Sequence, residues 1–152
     1  LGSSIEPRRQ FLDRAIGSLD ALECVTQLTA SGIHETLPVG GAARNLFLNM
    51  ALKVTVRGAT PHDFLHEIHE IETTLGRERA LRWGDRTIDI DIVLWDDLVF
   101  EESELQIPHP RMCDRMFVLA PLTEIAPDAV HPLHGMTILE LYRQQENVQC
   151  NS

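Results

Sequence analysis

The sequence predicts an α+β fold in which helices pack on a mainly antiparallel sheet. Two segments carry apolar residues at helical spacing, and other segments alternate apolar with polar residues as strands do. Proline and glycine residues separate these segments, as is typical of turns and loops. At 152 residues the chain is long enough for one core, so residues 1–152 are interpreted as a single domain.

The first third of the chain holds one predicted helix and two predicted strands. A helix is expected over Pro7 to Leu22, where apolar residues recur at helical spacing. A weakly patterned strand is expected over Cys24 to Thr36, followed by a loop over 37–45. From Leu46 to Val56 the alternation is strict, and it predicts a strand with its even-numbered residues on one face.

A second predicted helix has both of its ends marked in the sequence. Thr60 is the expected N-cap, because Pro61 and Asp63 follow it in the first turn. Gly76 is the expected stop. The residues predicted to face inward are Phe64, Leu65, Ile68, Ile71 and Leu75.

The second half of the chain is predicted to contain a hairpin and two helices. A strand is expected from Thr87 to Trp95, with a turn at Asp96–Asp97 and a returning strand from Leu98 to Phe100. Prolines interrupt the chain at 108–111. The predicted helices run from Arg111 to Ile125 and from Thr137 to Gln144.

The composition argues against several classes of protein. A formal net charge of −10 argues against a nucleic-acid partner. No apolar run is long enough to span a bilayer, and no signal sequence opens the chain. Cys24, Cys113 and Cys150 lie far apart, which argues against a disulfide framework and against a zinc knuckle. The chain is interpreted as a cytoplasmic protein without a membrane partner, and it is expected to be a monomer.

Two aspartates in the last predicted strand are candidate metal ligands. Side chains alternate along a strand, so Asp89 and Asp91 share one face, roughly 7 Å apart at Cα, while Ile88, Ile90, Ile92 and Leu94 share the other. Carboxylates so close repel each other unless a positive charge lies between them. Mg²⁺ prefers such oxygen ligands together with substrate phosphates. The alternative is an ordinary strand with one solvated face.

Arginines are concentrated just before this strand. Arg77, Arg79, Arg82 and Arg86 fall within ten residues, and Lys53 is the one lysine of the chain. The planar guanidinium group suits bidentate contacts to phosphate, so the cluster indicates a small phosphorylated ligand. The alternative is a solvated loop paired with nearby glutamates.

Further candidates depend on weaker patterns. Phe47 and Asn49 share a strand face and together offer a stacking surface and an amide for a heterocyclic base, or they are an edge pair without a ligand. His109, between two prolines, is a candidate for donating a hydrogen bond to a phosphate or for acting on a proton, and the alternative is a rigid turn with a capping histidine. His62, His66 and His69 share a helix face, which makes a zinc site conceivable, although solvated histidines are the plainer interpretation.

Longer segments resemble a known enzyme family. RWGDRTIDIDIVLW (82–95) and IPHPRMCDRMFVLAPLTEIAPD (107–128) resemble the 6-hydroxymethyl-7,8-dihydropterin pyrophosphokinases of folate biosynthesis. LGSS at the start, ETLPVG (35–40) and NLFLNMAL (45–52) extend the resemblance over essentially the whole chain. It implies a ferredoxin-like fold whose first strand is cut short at Leu1. It also implies transfer of the β,γ-pyrophosphate of ATP to the hydroxymethyl oxygen of the pterin, leaving AMP.

The resemblance also implies a role for individual residues. By this likeness Asp89 and Asp91 hold two Mg²⁺ ions, and Arg77 and Arg86 assist the transfer. The implied ATP contacts are His69, Glu72, Arg79, Arg82, Trp83, Ile92, His109 and Arg115. The implied pterin contacts are Thr36, Pro38, Val39, Phe47, Asn49 and Phe117. Two other functions stay open from the residues alone: a non-catalytic ferredoxin-like module that binds a ligand, and a metal-dependent phosphohydrolase that uses the same aspartates.

Overall fold

The computed structural model describes residues 1–38, 45–76 and 85–150. In chain order the elements are β1 (Gly2–Ser3), α1 (Arg8–Asp20), β2 (Val25–Ala30), β3 (His34–Thr36), β4 (Phe47–Asn49), β5 (Leu52–Val56), α2 (Pro61–Thr74), β6 (Phe100–Glu101), β7 (Gln106–Ile107), α3 (Met116–Ile125) and α4 (Ile138–Cys150). Helices and small antiparallel sheets confirm the α+β prediction. The predictions for Val39, Arg77, Arg79, Arg82 and Trp83 lie outside the described residues.

The first two helices form where the sequence predicts them. In α1 the buried residues are Leu12, Ala15 and Leu19, one turn apart as expected. Helix α2 begins with a capping box, in which the Thr60 hydroxyl accepts the Asp63 N–H at 3.2 Å and the Asp63 carboxylate accepts the Thr60 N–H at 2.8 Å. Gly76, with φ of +81°, ends it in the left-handed region that favours glycine.

The predicted strand 24–36 and the predicted strand 46–56 are each interrupted. β2 pairs with β5 and β3 pairs with β4, both antiparallel. Between these ladders Ser31 breaks the regular pattern, because its hydroxyl accepts the Ala51 N–H at 2.9 Å while its own N–H donates to the Ala51 carbonyl at 3.0 Å. The prediction of two unbroken strands was therefore wrong at this bend. β1 joins the other edge of β4, which gives the sheet order β1-β4-β3.

The prediction of a strand from Thr87 to Trp95 was wrong over most of its length, because this segment forms one isolated bridge and no ladder. Its bridge to β1 joins Asp89 to Gly2, with N–H to carbonyl distances of 2.8 Å in both directions. The predicted turn at Asp96–Asp97 is confirmed, since the Leu98 N–H donates to the Trp95 carbonyl at 2.9 Å. The predicted hairpin partner was wrong, because Phe100–Glu101 pairs with Gln106–Ile107 instead.

The last two helices differ from their predicted bounds. α3 starts at Met116 and not at Arg111, because 111–115 form turns that place His109 and Arg115. α4 continues to Cys150, although its fully buried side chains, Ile138 and Leu141, end in its first turn. The apolar pattern that predicts helices therefore stopped before the helix did.

The core lies in two clusters. The first joins α1 and α2 to Met50, Ile88 and Ile90. The second joins α3 and α4 to Ala51, Met112 and Val93. Successive residues Met50 and Ala51 thus contact different clusters, as alternation along extended chain requires. Within the described part of the chain, no helix combines the length and the apolar character needed to cross a membrane.

Candidate active site

A cleft of about 1110 Å³ collects most of the described residues that the sequence singles out. It extends along β5 and the segment after Asp91. The sequence-predicted residues that line it are Thr36, Phe47, Asn49, Arg86, Asp89, Asp91, Ile92, His109, Arg115 and Phe117. Residues that are far apart in sequence therefore meet in one volume, where the charged groups lie near the aromatic ones.

The Asp-Ile-Asp segment is fixed from its core side. Ile88 is fully buried and Ile90 nearly so, both in the first cluster. The Ile90 N–H donates to the buried Glu72 carboxylate at 2.8 Å, and Asp89 is bridged to Gly2. Burial alternates as the sequence predicted: Ile88 and Ile90 are buried, whereas Asp89 is half-buried and Asp91 exposed, and both aspartates line the cleft.

The alternation fails farther along the same segment. Ile92 still contacts the first cluster, but Leu94 contacts the second one together with Val93. The prediction that Leu94 shares the face of Ile88 and Ile90 was therefore wrong. At this point the Val93 carbonyl accepts the His109 N–H at 2.9 Å, which joins the segment to the proline-flanked turn.

The two aspartates have different electrostatic surroundings. The Asp89 carboxylate accepts a hydrogen bond from the Arg86 guanidinium at 2.6 Å, and both side chains are 24% exposed. Asp91 is exposed and has no hydrogen bond or ion pair to any residue that the structure describes. An arginine and two carboxylates thus lie at one wall of the cleft, with one carboxylate open to a ligand.

Ser3 and Ser4 hold the backbone around Arg86, a role that was not predicted for either serine. The Ser4 hydroxyl accepts the Arg86 N–H at 2.9 Å, and the Ser4 N–H donates to the Arg86 carbonyl at 2.9 Å. The Ser3 hydroxyl donates to the Thr87 carbonyl at 2.6 Å. Both serines are buried. Their signal in the sequence is the LGSS segment, which carried the resemblance without a stated role.

His109 enters the cleft with a defined tautomer. Its Nδ1 accepts the Arg111 N–H at 3.1 Å, so in the neutral ring the proton is on Nε2. Burial lowers the pKa of His109, and the nearby Arg115 and Arg111 act in the same direction while Asp91 opposes them. The imidazole is therefore neutral at pH 7 and can donate from Nε2 to a phosphate oxygen.

Arg115 adds a further cation to the cleft, beside Arg86 and Lys53. Burial is the largest cause that lowers the pKa of its guanidinium, followed by the positive charge of Arg111. A guanidinium titrates so far above neutrality that it keeps its charge. The group also lies 5.7 Å from the centre of the Phe117 ring, within reach of a cation–π contact.

The aromatic end of the cleft is built on β3 and β4. Asn49 is buried, and its Nδ2 donates to the Thr36 hydroxyl at 2.7 Å. A side chain at Gly2 would bring a Cβ to 3.1 Å from the Asn49 Oδ1, so glycine permits the close approach of β1. Phe47 is half-buried beside them. Asn49 lines the cleft together with Phe47, and its amide is packed and oriented there.

Three described candidates lie off the lining of the cleft. Glu72 is 2% exposed and holds the backbone of Ile90. His69 lies half-buried on α2, and Pro38 lies half-buried at the end of the first described range. His62, His66 and His69 form no ligand cluster within the described residues, where His62 instead pairs with Glu102 at 3.3 Å.

Comparisons with known proteins agree with the resemblance. A family model described as 7,8-dihydro-6-hydroxymethylpterin-pyrophosphokinase matches residues 1–127. Over 125 residues the chain is 44% identical to a 2-amino-4-hydroxy-6-hydroxymethyldihydropteridine pyrophosphokinase of Bacillus subtilis. The aligned region covers 82% of this chain and 74% of that protein. Over 152 residues it is 35% identical to a protein of the same description from Synechocystis, covering 100% and 75% of the two chains. It is also 42% identical to the bifunctional protein FolKE of Lactococcus lactis, of which the match spans 36%.

Proposed function

The chain belongs to the 7,8-dihydro-6-hydroxymethylpterin-pyrophosphokinase family, whose reaction in folate biosynthesis uses ATP, and we propose that the cleft containing Asp89 and Asp91 is its active site. There the pterin hydroxymethyl oxygen attacks the β-phosphorus of ATP in line and loses its proton to solvent, while the bond from that phosphorus to the α,β-bridging oxygen breaks and AMP leaves with this oxygen. The observation that carries this proposal is the meeting of two carboxylates with Arg86, His109 and Arg115 in one cleft.

Asp89 and Asp91 fit the needs of two Mg²⁺ ions. Both carboxylates line the cleft, and Asp91 is exposed there without a hydrogen bond or ion pair to any described residue. Carboxylate oxygens and substrate phosphates are the ligands that Mg²⁺ prefers. Bound there, the ions would neutralise the charge of the triphosphate and polarise the phosphorus under attack. Arg86 holds Asp89 by an ion pair that a phosphate oxygen can replace.

The basic groups of the cleft are proposed to hold the polyphosphate. Neutral His109 donates from Nε2, and Arg115 contributes a permanent positive charge. Arg86 is proposed to stabilise the negative charge that develops on the transferred group, together with Arg77, which lies outside the described residues. Arg79, Arg82 and Trp83, also outside that range, and Glu72, Ile92 and His69 complete the proposed ATP set.

The aromatic end of the cleft is proposed to hold the pterin. Phe47 and Phe117 offer apolar ring surface for stacking. The Asn49 amide, already fixed by Thr36, offers a donor and an acceptor to the ring edge of the pterin. Pro38 and Val39 are proposed to extend this wall. Holding both substrates in one orientation supplies much of the rate enhancement, because the reaction then needs no chance encounter.

We further propose that the sheet has the ferredoxin-like arrangement. In its support, β1, α1, the strands of 25–36 and 47–56, α2 and the extended segment after Thr87 follow one another in a βαββαβ order. A single domain over 1–152 is proposed because α4, beyond the family match at 127, packs on α3 in the second cluster. A cytoplasmic monomer is proposed with it.

An assay of products separates this function from its alternatives. The protein is incubated with ATP and Mg²⁺, with and without 6-hydroxymethyl-7,8-dihydropterin, and AMP and inorganic phosphate are measured. AMP that forms only in the presence of the pterin supports pyrophosphate transfer. Phosphate released without the pterin would instead indicate a phosphohydrolase, and the absence of both products would indicate a binding module.

A further inference from the structure

A second cluster of possible metal ligands lies among the described residues, outside the cleft. Cys113, His131 and His134 place one ligand atom each within 4.8 Å of one another. Cys113 belongs to the turns before α3, whereas both histidines belong to the loop between Val130 and Thr137. Two segments that have no common secondary structure thus meet through three ligand-bearing side chains.

The loop that carries the histidines is internally braced. Val130 and Thr137 form an isolated bridge, and the His131 N–H donates to the Met136 carbonyl at 2.8 Å. The Gly135 N–H donates to the His131 carbonyl at 2.8 Å, and Gly135 has a φ of +67°. This tight turn folds His134 back toward His131, so that their ring centres are 4.4 Å apart.

The donor set and its dimensions suit Zn²⁺. Zinc binds cysteine sulfur at about 2.3 Å and histidine nitrogen at about 2.0–2.1 Å, so tetrahedral ligands lie about 3.3–3.8 Å apart. The three ligand atoms lie within 4.8 Å of one another, so they reach that spacing if each pair moves closer by about 1 Å. The cluster is also graded in burial: His131 is buried, Cys113 half-buried and His134 exposed. An ion can therefore enter from the His134 side and retain water as its fourth ligand.

We propose that Cys113, His131 and His134 form a binding site for a thiophilic divalent ion such as Zn²⁺, separate from the two aspartates. Binding breaks the S–H bond of Cys113 and releases its proton to solvent, while each histidine supplies a ring nitrogen lone pair. The weak bond from the Leu133 N–H to the His131 Nδ1, at 3.3 Å, is given up, because that nitrogen then carries either the ion or the ring proton.

The site would brace one wall of the active-site cleft. Cys113 lies between His109 and Arg115 in the chain, and both of these residues line the cleft. A metal bond from Cys113 to the 131–134 loop would fix the turns that aim them. The ion would thus have a structural role, distinct from the Mg²⁺ ions that act on ATP.

Cobalt provides a test with a signal specific for sulfur. The whole protein, freed of metal and kept reduced, is titrated with Co²⁺ alone, and the thiolate-to-cobalt charge-transfer absorption is recorded. The wild type is expected to gain this absorption with one equivalent and to lose it when Zn²⁺ is added. The aspartates cannot produce the signal, because they carry no sulfur.

Three variants locate the site. Cys113→Ser should abolish the absorption, whereas Cys24→Ser, at a half-buried cysteine in the other cluster, should retain it. His134→Asn changes an exposed residue and should weaken Co²⁺ binding roughly tenfold or more without unfolding the protein. The proposal is overturned if the wild type gives no sulfur signal, if Cys113→Ser retains it, or if His134→Asn binds like the wild type. Should Cys113→Ser fail to fold by circular dichroism, His134→Asn decides the question.

Discussion

The two sides of the segment 88–93 are held in opposite ways. On its core side, Ile88 and Ile90 are buried and the backbone is tied to Gly2 and to the Glu72 carboxylate. On its cleft side, Asp89 is held through its ion pair with Arg86, and Asp91 is exposed. Burial thus fixes the position of the segment, while its cleft side keeps groups that can change partners.

Within six residues, side chains expected to affect the stability of the fold therefore alternate with side chains expected to affect activity. Truncating a buried side chain lowers the free energy of unfolding, because a cavity or an unpaired polar group remains. Replacing an exposed carboxylate changes the free energy of unfolding little, yet such a group is what a metal ion would contact. The comparison is testable, since changes on the two sides should affect different measured quantities.

The largest expected effect is on activity and comes from the cleft side. Asp91→Ala should lower turnover at least about 10²–10³-fold, because a ligand for the cation and its charge are lost. The free energy of unfolding should change by no more than about 0.5 kcal/mol, since the side chain is exposed. AMP release and urea unfolding measure the two effects.

A matched control for this variant is Asp13→Ala, at an exposed aspartate of α1. It makes the same chemical change away from the cleft and should leave turnover unchanged. Full activity in Asp91→Ala would refute the assignment of this carboxylate to the metal site.

The next effect is on stability and comes from the core side. Glu72→Ala should lower the free energy of unfolding by about 2–4 kcal/mol, because a buried side chain is removed and the Ile90 N–H loses its acceptor. Glu72→Gln keeps an oxygen in place and should lose much less. Urea unfolding is the measurement, with exposed Glu70→Ala as control. Equal losses in Glu72→Ala and Glu70→Ala would contradict the supporting role of Glu72.

What the sequence predicts well is local. Helix α2 follows from its own residues, since Thr60 and Asp63 cap one end and Gly76 ends the other within a few positions. The alternation of buried Ile88 and Ile90 with the less buried Asp89 and Asp91 follows from the two-residue period of a strand-like sequence. Neither feature requires knowledge of a distant partner.

What the sequence does not predict depends on distant partners. Phe100 pairs with Ile107 rather than with the preceding strand, and the Ser31 hydroxyl breaks the strand opposite Ala51. Ser4 reaches Arg86 across more than eighty residues. The sequence also does not reveal that Glu72, one of several polar residues of α2, is buried and accepts a hydrogen bond from the backbone of Ile90. These long-range contacts decide which side of a segment is fixed.

A smaller effect is expected where one residue serves both sides. Asn49 is buried like a core residue, yet it lines the cleft. Asn49→Ala should weaken pterin binding roughly tenfold or more, about 1.4 kcal/mol, and leave ATP binding unchanged. Calorimetry with each ligand alone measures this. Thr36→Val, which removes the acceptor of the amide but not the amide, should have the milder effect, and equal weakening of both ligands would contradict the assignment.

The smallest effect tests a carboxylate outside this segment, where solvent weakens electrostatics. The Glu124 carboxylate of α3 accepts the Gly32 N–H at 2.6 Å and pairs with His34, and these contacts lower its pKa below the ordinary 4.5. A lowered pKa in the folded state stabilises the fold above pH 4.5, and the gain is lost as the pH falls through the folded value. Glu124→Gln, which keeps an acceptor oxygen, should therefore cost about 0.2–1 kcal/mol at pH 6 and less at pH 3. Urea unfolding at both pH values measures it. A cost that is the same at both would mean that Glu124 acts through packing, and a larger cost than that of Glu72→Ala would reverse the ranking of buried over exposed carboxylates.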